Sequence, residues 1–124
     1  DYPKFYELLD MAVVAGISKK PTATIRMRVG DIEIEKSLSG DGPVDAVYKT
    51  IYEITQSKSD LMFFKVKDVR GGDDALGEVY VTLRQNNNFF DGHGADTDIT
   101  VSAAKALIDA LNKIAYYLET EKIK

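Results

Sequence analysis

Apolar and polar positions alternate strictly over Thr22 to Val29, with Ile25, Met27 and Val29 on one side and Thr24, Arg26 and Arg28 on the other. That period of two is the signature of a half-buried strand. Ile32 and Ile34, interleaved with Glu33 and Glu35, repeat it. Gly30-Asp31 between the two runs is a two-residue hairpin signal. The implied register sets Val29 opposite Ile32, Arg28 opposite Glu33, Met27 opposite Ile34 and Arg26 opposite Glu35. Opposite charges then meet on the wet face, each pair adding about 0.2–1 kcal/mol, enough to fix register. Phe5 to Val14 reads as a preceding strand, broken by Gly16 to Pro21.

At Gly42-Pro43 the period changes to helical. Proline at a first helical position loses no hydrogen bond, because that N–H has no partner. Val44, Val47, Tyr48, Ile51 and Ile54 form a buried stripe on a helix ending near Ser57. Leu61 to Val69 is a strand whose continuous apolar start (Leu61, Met62, Phe63, Phe64) predicts cover on both faces. Arg70 to Asp74 is a turn, and Glu78 to Gln85 alternates with Val79, Val81 and Leu83 inward. Asn86-Asn87-Asn88 is a turn, and Phe89-Phe90 starts a short strand. A last helix runs from about Asp98 to Leu118 on a stripe of Ala103, Ala104, Leu107, Leu111, Ile114 and Leu118. Of Tyr116 and Tyr117, one extends the core edge and the other is exposed, while Glu119 to Lys124 reads as a fraying terminus.

The order is strand, strand, strand, helix, twice over. It predicts an α+β fold of two βββα units related by internal duplication, with helices packed on one face of antiparallel sheets. A single domain spans residues 1–124, with repeats over about 5–57 and 60–119. Gly40-Asp41-Gly42 and Gly92-His93-Gly94, whose first glycines lie 52 positions apart, read as equivalent turns that each end a strand and open a helix. The N–H groups and positive dipole end of such a mouth suit a carboxylate.

Composition narrows the function classes. The net charge of −4 argues against nucleic acid, which needs a basic stripe. Without cysteine there is neither disulfide nor thiolate chemistry. No apolar run spans a bilayer and no signal-peptide pattern opens the chain, so the cytoplasm is the expected compartment and no membrane partner is expected. The start at Asp1 reads as a piece of a longer protein or one stripped of disordered ends.

Candidate chemistry is sparse. His93, the only histidine, is flanked by glycines and reads as a loop residue rather than a base or metal ligand. Asp73 and Asp74 lack the alternating oxygens of a calcium loop. Asp41, Asp45, Asp96 and Asp98 cluster at the two helix starts. Capping is the leading role for them, and acceptance of a ligand ammonium the second. No catalytic residue and no metal ligand is expected.

Three blocks, Ser39-Gly-Asp-Gly-Pro-Val-Asp-Ala-Val-Tyr-Lys49, Gly71-Gly-Asp-Asp-Ala-Leu-Gly-Glu-Val79 and Gly92-His-Gly-Ala-Asp-Thr-Asp-Ile99, resemble the C-terminal regulatory domain of α-isopropylmalate synthases, with that of citramalate synthases second. The resemblance runs from about Tyr6 to Ile114. It implies a non-enzymatic fragment of an acyltransferase. The parent condenses acetyl-CoA with a 2-oxo acid on a separate metal-dependent TIM barrel that lies outside this chain. It further implies a homodimer acting on the catalytic domain of the same chain, with leucine or isoleucine as effector near the dimer interface, and no cofactor in this domain.

Carried over by position, the resemblance implies an effector site of Gly40, Gly42, Val44 and Asp45 in the first mouth and Leu61, Phe64 and Asp68 on the next strand. Ala75 and Gly77 from the second block, and Ala95 and Thr97 from the second mouth, complete it. Asp68 stands where the family has a small or aliphatic residue; it either meets the ammonium or, one register off, gives way to Val69 and points to solvent. The second and third blocks favour leucine over isoleucine.

Overall fold

The computed structural model describes residues 4–69 and 76–123. Strands β1 (Tyr6–Val14), β2 (Thr22–Val29) and β3 (Ile32–Ser39) precede helix α1 (Pro43–Thr55). Strands β4 (Asp60–Val69), β5 (Leu76–Gln85) and β6 (Asn88–Asp96) precede helix α2 (Ile99–Ile123). Each trio forms an antiparallel sheet in chain order, so βββα occurs twice. Each unit's first strand carries a register irregularity against the second, between Leu8 and Asp10 in β1 and between Leu61 and Phe63 in β4. The turn over Arg70 to Asp74 and the site position Ala75 lie outside the described residues.

The β2–β3 hairpin has the register read from alternation, Arg28 opposite Glu33 and Arg26 opposite Glu35, with Gly30 at φ +61° in the turn. The ion pairs run diagonally instead of straight across. Arg26 reaches Glu33 at 3.0 Å, and Arg28 pairs with Glu7 on β1. Long arginine side chains span to the diagonal neighbour as readily as to the one opposite.

One core joins both units. Ile25 and Met27 of β2, Val47 and Ile51 of α1, Val79, Val81 and Leu83 of β5, and Leu107 and Leu111 of α2 are buried in it. Helix α1 packs over β2 and β3, whereas α2 packs over β5 and β6, touches β1 and meets α1. Asn112 on α2 is buried and clamps the units together. Its carbonyl oxygen accepts from the N–H groups of Phe5 (2.8 Å) and Tyr6 (2.7 Å), and its amide donates to the Tyr6 carbonyl (2.9 Å). The clamp substitutes for a neighbouring strand at the edge of β1.

Four readings need correction. Gly92 and Gly94 do not open a helix; they lie inside β6, which runs nine residues where a short strand was expected. They are small because α2 presses on them. A methyl group on Gly92 would stand 2.8 Å from the Ala110 nitrogen, and one on Gly94 would stand 2.7 Å from the Ala106 nitrogen. Facing them are Ala103, Ala106 and Ala110, all buried. This seam seats α2 on the β6 side of its sheet. The same asymmetry overturns the expectation for β4. Leu61, Met62, Phe63, Phe64 and Val66 are exposed, because neither helix reaches that edge strand. His93 lies in β6 and not in a loop. The last helix continues through the expected fraying end to Ile123, with Tyr117 against the Phe90 ring at 5.5 Å and Tyr116 exposed.

Candidate functional site

The described residues enclose a cavity of about 670 Å³ between α1 and the start of β4. Its apolar wall is Leu38, Val44, Tyr48, Tyr52, Leu61 and Phe64, and its polar rim includes Asp45, Lys49, Glu53 and Lys58. Helical geometry builds the wall, because Val44, Tyr48 and Tyr52 recur at intervals of four along one side of α1. Tyr48 packs edge-on against Phe64, ring centroids 6.0 Å apart, and its buried hydroxyl donates to the Ala103 carbonyl of α2 at 2.8 Å. Burial pushes the Tyr48 phenol well above its usual range, so it stays a donor. The Tyr52 hydroxyl lies 3.2 Å from the Ser59 hydroxyl at the far end.

The mouth beside this cavity is partly open. Gly42 is the N-cap of α1 with φ −150°, an extended conformation, and no side chain caps the helix. Pro43 follows and brings no N–H. The Asp45 carboxylate accepts from the Asp41 N–H at 2.7 Å and pairs with Lys49 at 3.3 Å. The Asp41 amide, then Lys49, hold this exposed carboxylate below its ordinary range. Asp41 itself pairs with Lys20 at 3.2 Å. Gly40 is buried and donates to the Pro21 carbonyl at 3.0 Å. A methyl group there would stand 2.6 Å from the Asp45 carboxylate, so Gly40 shapes the loop and does not face the cavity.

The second mouth is closed by its own side chains. The Asp98 carboxylate accepts from the Thr100 hydroxyl at 2.6 Å and the Thr100 amide at 2.8 Å, and those bonds lower its pKa. Asp96 accepts from the Asp98 amide at 3.0 Å and pairs with Lys105 at 3.1 Å, which lowers its pKa also. Buried Ser102 lies 2.8 Å from the Gly77 carbonyl. Capping accounts for Asp96 and Asp98.

Val44, Asp45, Leu61 and Phe64 therefore come together at the cavity, with Gly42 at the adjoining helix start. Asp68, Gly77, Ala95 and Thr97 do not join them within one copy. Asp68 pairs with Gly77, and Gly77 with Asp96, at the end of the sheet opposite Leu61 and Leu83. Seven residues of strand separate Leu61 from Asp68, roughly 20 Å at the usual rise. Asp68 is exposed, and Gly77 is buried against Ile99. Leu38, Tyr52, Lys49 and Lys58 line the cavity but were missed. For Tyr52, its spacing from Tyr48 was the available signal.

His93 pairs with Glu78, its Nε2 2.9 Å from the carboxylate, and lies against Tyr80 at 4.8 Å. Among the described residues no group of three or more His, Cys, Asp or Glu is placed to hold a metal ion, and no helix is long and apolar enough to cross a membrane.

Fold and cavity together define a class: a duplicated α+β domain with a small-molecule hollow between the first unit's helix and the second unit's edge strand. Residues 1–115 match the model of the LeuA allosteric (dimerisation) domain, and the chain belongs to that family. It is 44% identical over 119 residues to 2-isopropylmalate synthase of Prochlorococcus marinus, covering 95% of this chain and 22% of that protein. It is 42% identical over 114 residues to the enzyme of that name from Nitrosococcus oceani, covering 92% and 22%. For that of Heliobacterium modesticaldum the figures are 40% over 115 residues, 93% and 22%. The chain thus spans about a fifth of the length of the curated relatives it matches.

Proposed function

We propose that this chain is the regulatory domain through which a branched-chain amino acid, leucine in the first place, exerts feedback inhibition on an acetyl-CoA-dependent 2-isopropylmalate synthase. It does so as a homodimer, with the chemistry on a metal-dependent catalytic domain elsewhere in the parent chain. The observation that carries this reading is the hollow between α1 and β4. A branched aliphatic side chain fits against Val44, Tyr48, Leu61 and Phe64, and burying it contributes about 1.5–3 kcal/mol. The uncapped start of α1 at Gly42 supplies amides for the carboxylate. Rim carboxylates Asp45 and Glu53 attract the ammonium.

The cavity is large for one amino acid and has walls from both βββα units. An effector wedged there favours one placement of β4 relative to α1, and it shifts the parent between states only by its differential affinity for them. Leucine and isoleucine differ in where one methyl branches, a distinction worth about 1–3 kcal/mol in an apolar pocket.

Calorimetric titration of this chain with leucine and with isoleucine tests the reading. Saturable heat with leucine, weaker with isoleucine, is expected. Silence toward both at millimolar concentration overturns it.

A further inference from the structure

Leu61, Phe64 and Val66 of β4 face the same side of their sheet as the buried Leu83, Val81 and Val79 beside them on β5. On β5 these positions are sealed by α2. On β4 they are 42%, 39% and 45% exposed. The outer face of β4 is different in kind: Phe63, Lys65 and Lys67 stand there beside Thr82, Tyr80 and Glu78. Strand β4 is also an edge of ten residues, hydrogen-bonded among the described strands only to β5. A long apolar edge strand left bare is an aggregation hazard, and natural proteins cover such strands.

We propose that a second copy of this chain covers the inner face of β4, in a two-fold contact that buries Leu61, Phe64 and Val66 of each copy. The inference rests on the dimeric reading above and assigns it a surface. Three observations select a second copy as the occupant. The family matched over residues 1–115 is described as a dimerisation domain. A two-fold contact needs a self-complementary patch, and this one is apolar throughout. Lys65 and Lys67, which would repel their own copies across a two-fold axis, point to the opposite face. The contact adjoins the cavity, because Leu61 and Phe64 belong to both.

Val66 lies outside the cavity lining and separates the two claims. Sedimentation equilibrium of this chain and of Val66→Lys, Val66→Thr and Phe63→Lys is the test, with circular dichroism to confirm that each variant is folded. The expected result is a dimer for the parent sequence, dissociation weakened at least tenfold toward monomer by Val66→Lys and severalfold by the near-isosteric Val66→Thr, and an intact dimer for outer-face Phe63→Lys. A monomeric parent sequence overturns the assignment, as does a folded Val66→Lys that dimerises as tightly as its parent. So does loss of the dimer through Phe63→Lys alone. A dimer broken by Val66→Lys in a chain that gives no heat with leucine keeps the surface and removes the effector; leucine heat from a chain that never dimerises does the reverse.

Discussion

Gly94→Ala adds a single methyl group where α2 already stands. The new carbon would lie 2.7 Å from the Ala106 nitrogen and 2.8 Å from the Lys105 Cβ, and closer still to the Ser102 carbonyl oxygen. Comfortable separations between such atoms begin near about 3.5 Å, so the helix must withdraw by roughly 1 Å over that turn. The obstacle is helix backbone, which cannot swing aside as a side-chain tip can. Withdrawal loosens Ala103, Leu107 and Ala110, all fully buried, and a gap of about 0.5–1 Å forfeits a quarter to a half of each contact's attraction. The cost falls at the upper end of the overpacking range, about 3 kcal/mol.

For a chain of 124 residues that corresponds to a fall in Tm of roughly 10–15 °C. The control is Gly42→Ala. Nothing lies within 4 Å of the added methyl there, and the extended backbone accepts any residue, so its stability should move by no more than about 0.5 kcal/mol. Calorimetric melts of the two variants beside the parent chain decide the matter. Equal Tm values for Gly94→Ala and Gly42→Ala would refute the tight seam, and with it the explanation of why α2 leaves β4 bare.

Two further outcomes follow from the helix starts. Gly42→Asp should leave the fold intact and strengthen the cap of α1 by a few tenths of about 1 kcal/mol, yet abolish leucine binding by setting a carboxylate where the effector's own must sit; calorimetry showing an unchanged Kd would remove that mouth as the anchor. Asp98→Ala should cost about 1 kcal/mol by uncapping α2. Because the Thr100 hydroxyl and amide hold the Asp98 carboxyl below its ordinary 3.8, its contribution is present above that pH and is lost as the pH falls through the lowered value. Chemical denaturation between about pH 5 and pH 2 should therefore show a shallower acid-side loss in Asp98→Ala than in the parent, and parallel curves would contradict the assignment.

Much of the fold is legible in periodicity. Strict alternation over Thr22 to Glu35 fixes both strands and their register, because a slip of one residue would turn Ile25 and Met27 out of the core. The apolar stripe from Val47 to Ile54 gives α1 its buried side in the same way. What periodicity hides is which layer lies above a strand. The run Leu61-Met-Phe-Phe64 is equally the mark of a strand covered on both faces and of one awaiting a partner molecule. The distinction depends on where α2 lands, and that is set by glycines two strands away. In the site, Val44, Leu61 and Phe64 were within reach of the sequence, but Leu38 and Lys58 enter the cavity only through the three-dimensional course of β3 and of the turn after α1. No local pattern encodes that meeting.

The paired Gly-x-Gly segments carry the sharper lesson, since one spacing serves two physical ends. At Gly42 the absent side chain leaves the first turn of α1 without a cap and the space in front of it empty. At Gly92 and Gly94 the absent side chains are replaced by the backbone of α2, and the turn that does open that helix is closed by Asp96, Asp98 and Ser102. Duplication therefore leaves one open mouth and one closed one. The open mouth lies in the first unit, the bare strand in the second, and the cavity is bounded by both. An occupant that touches Val44 and Phe64 together is sensitive to the angle between the units, and a partner molecule seated on Leu61, Phe64 and Val66 would sense the same angle from outside. Ligand and partner are then coupled through β4 without a longer relay, because both act on the single strand that the chain's own helices leave free.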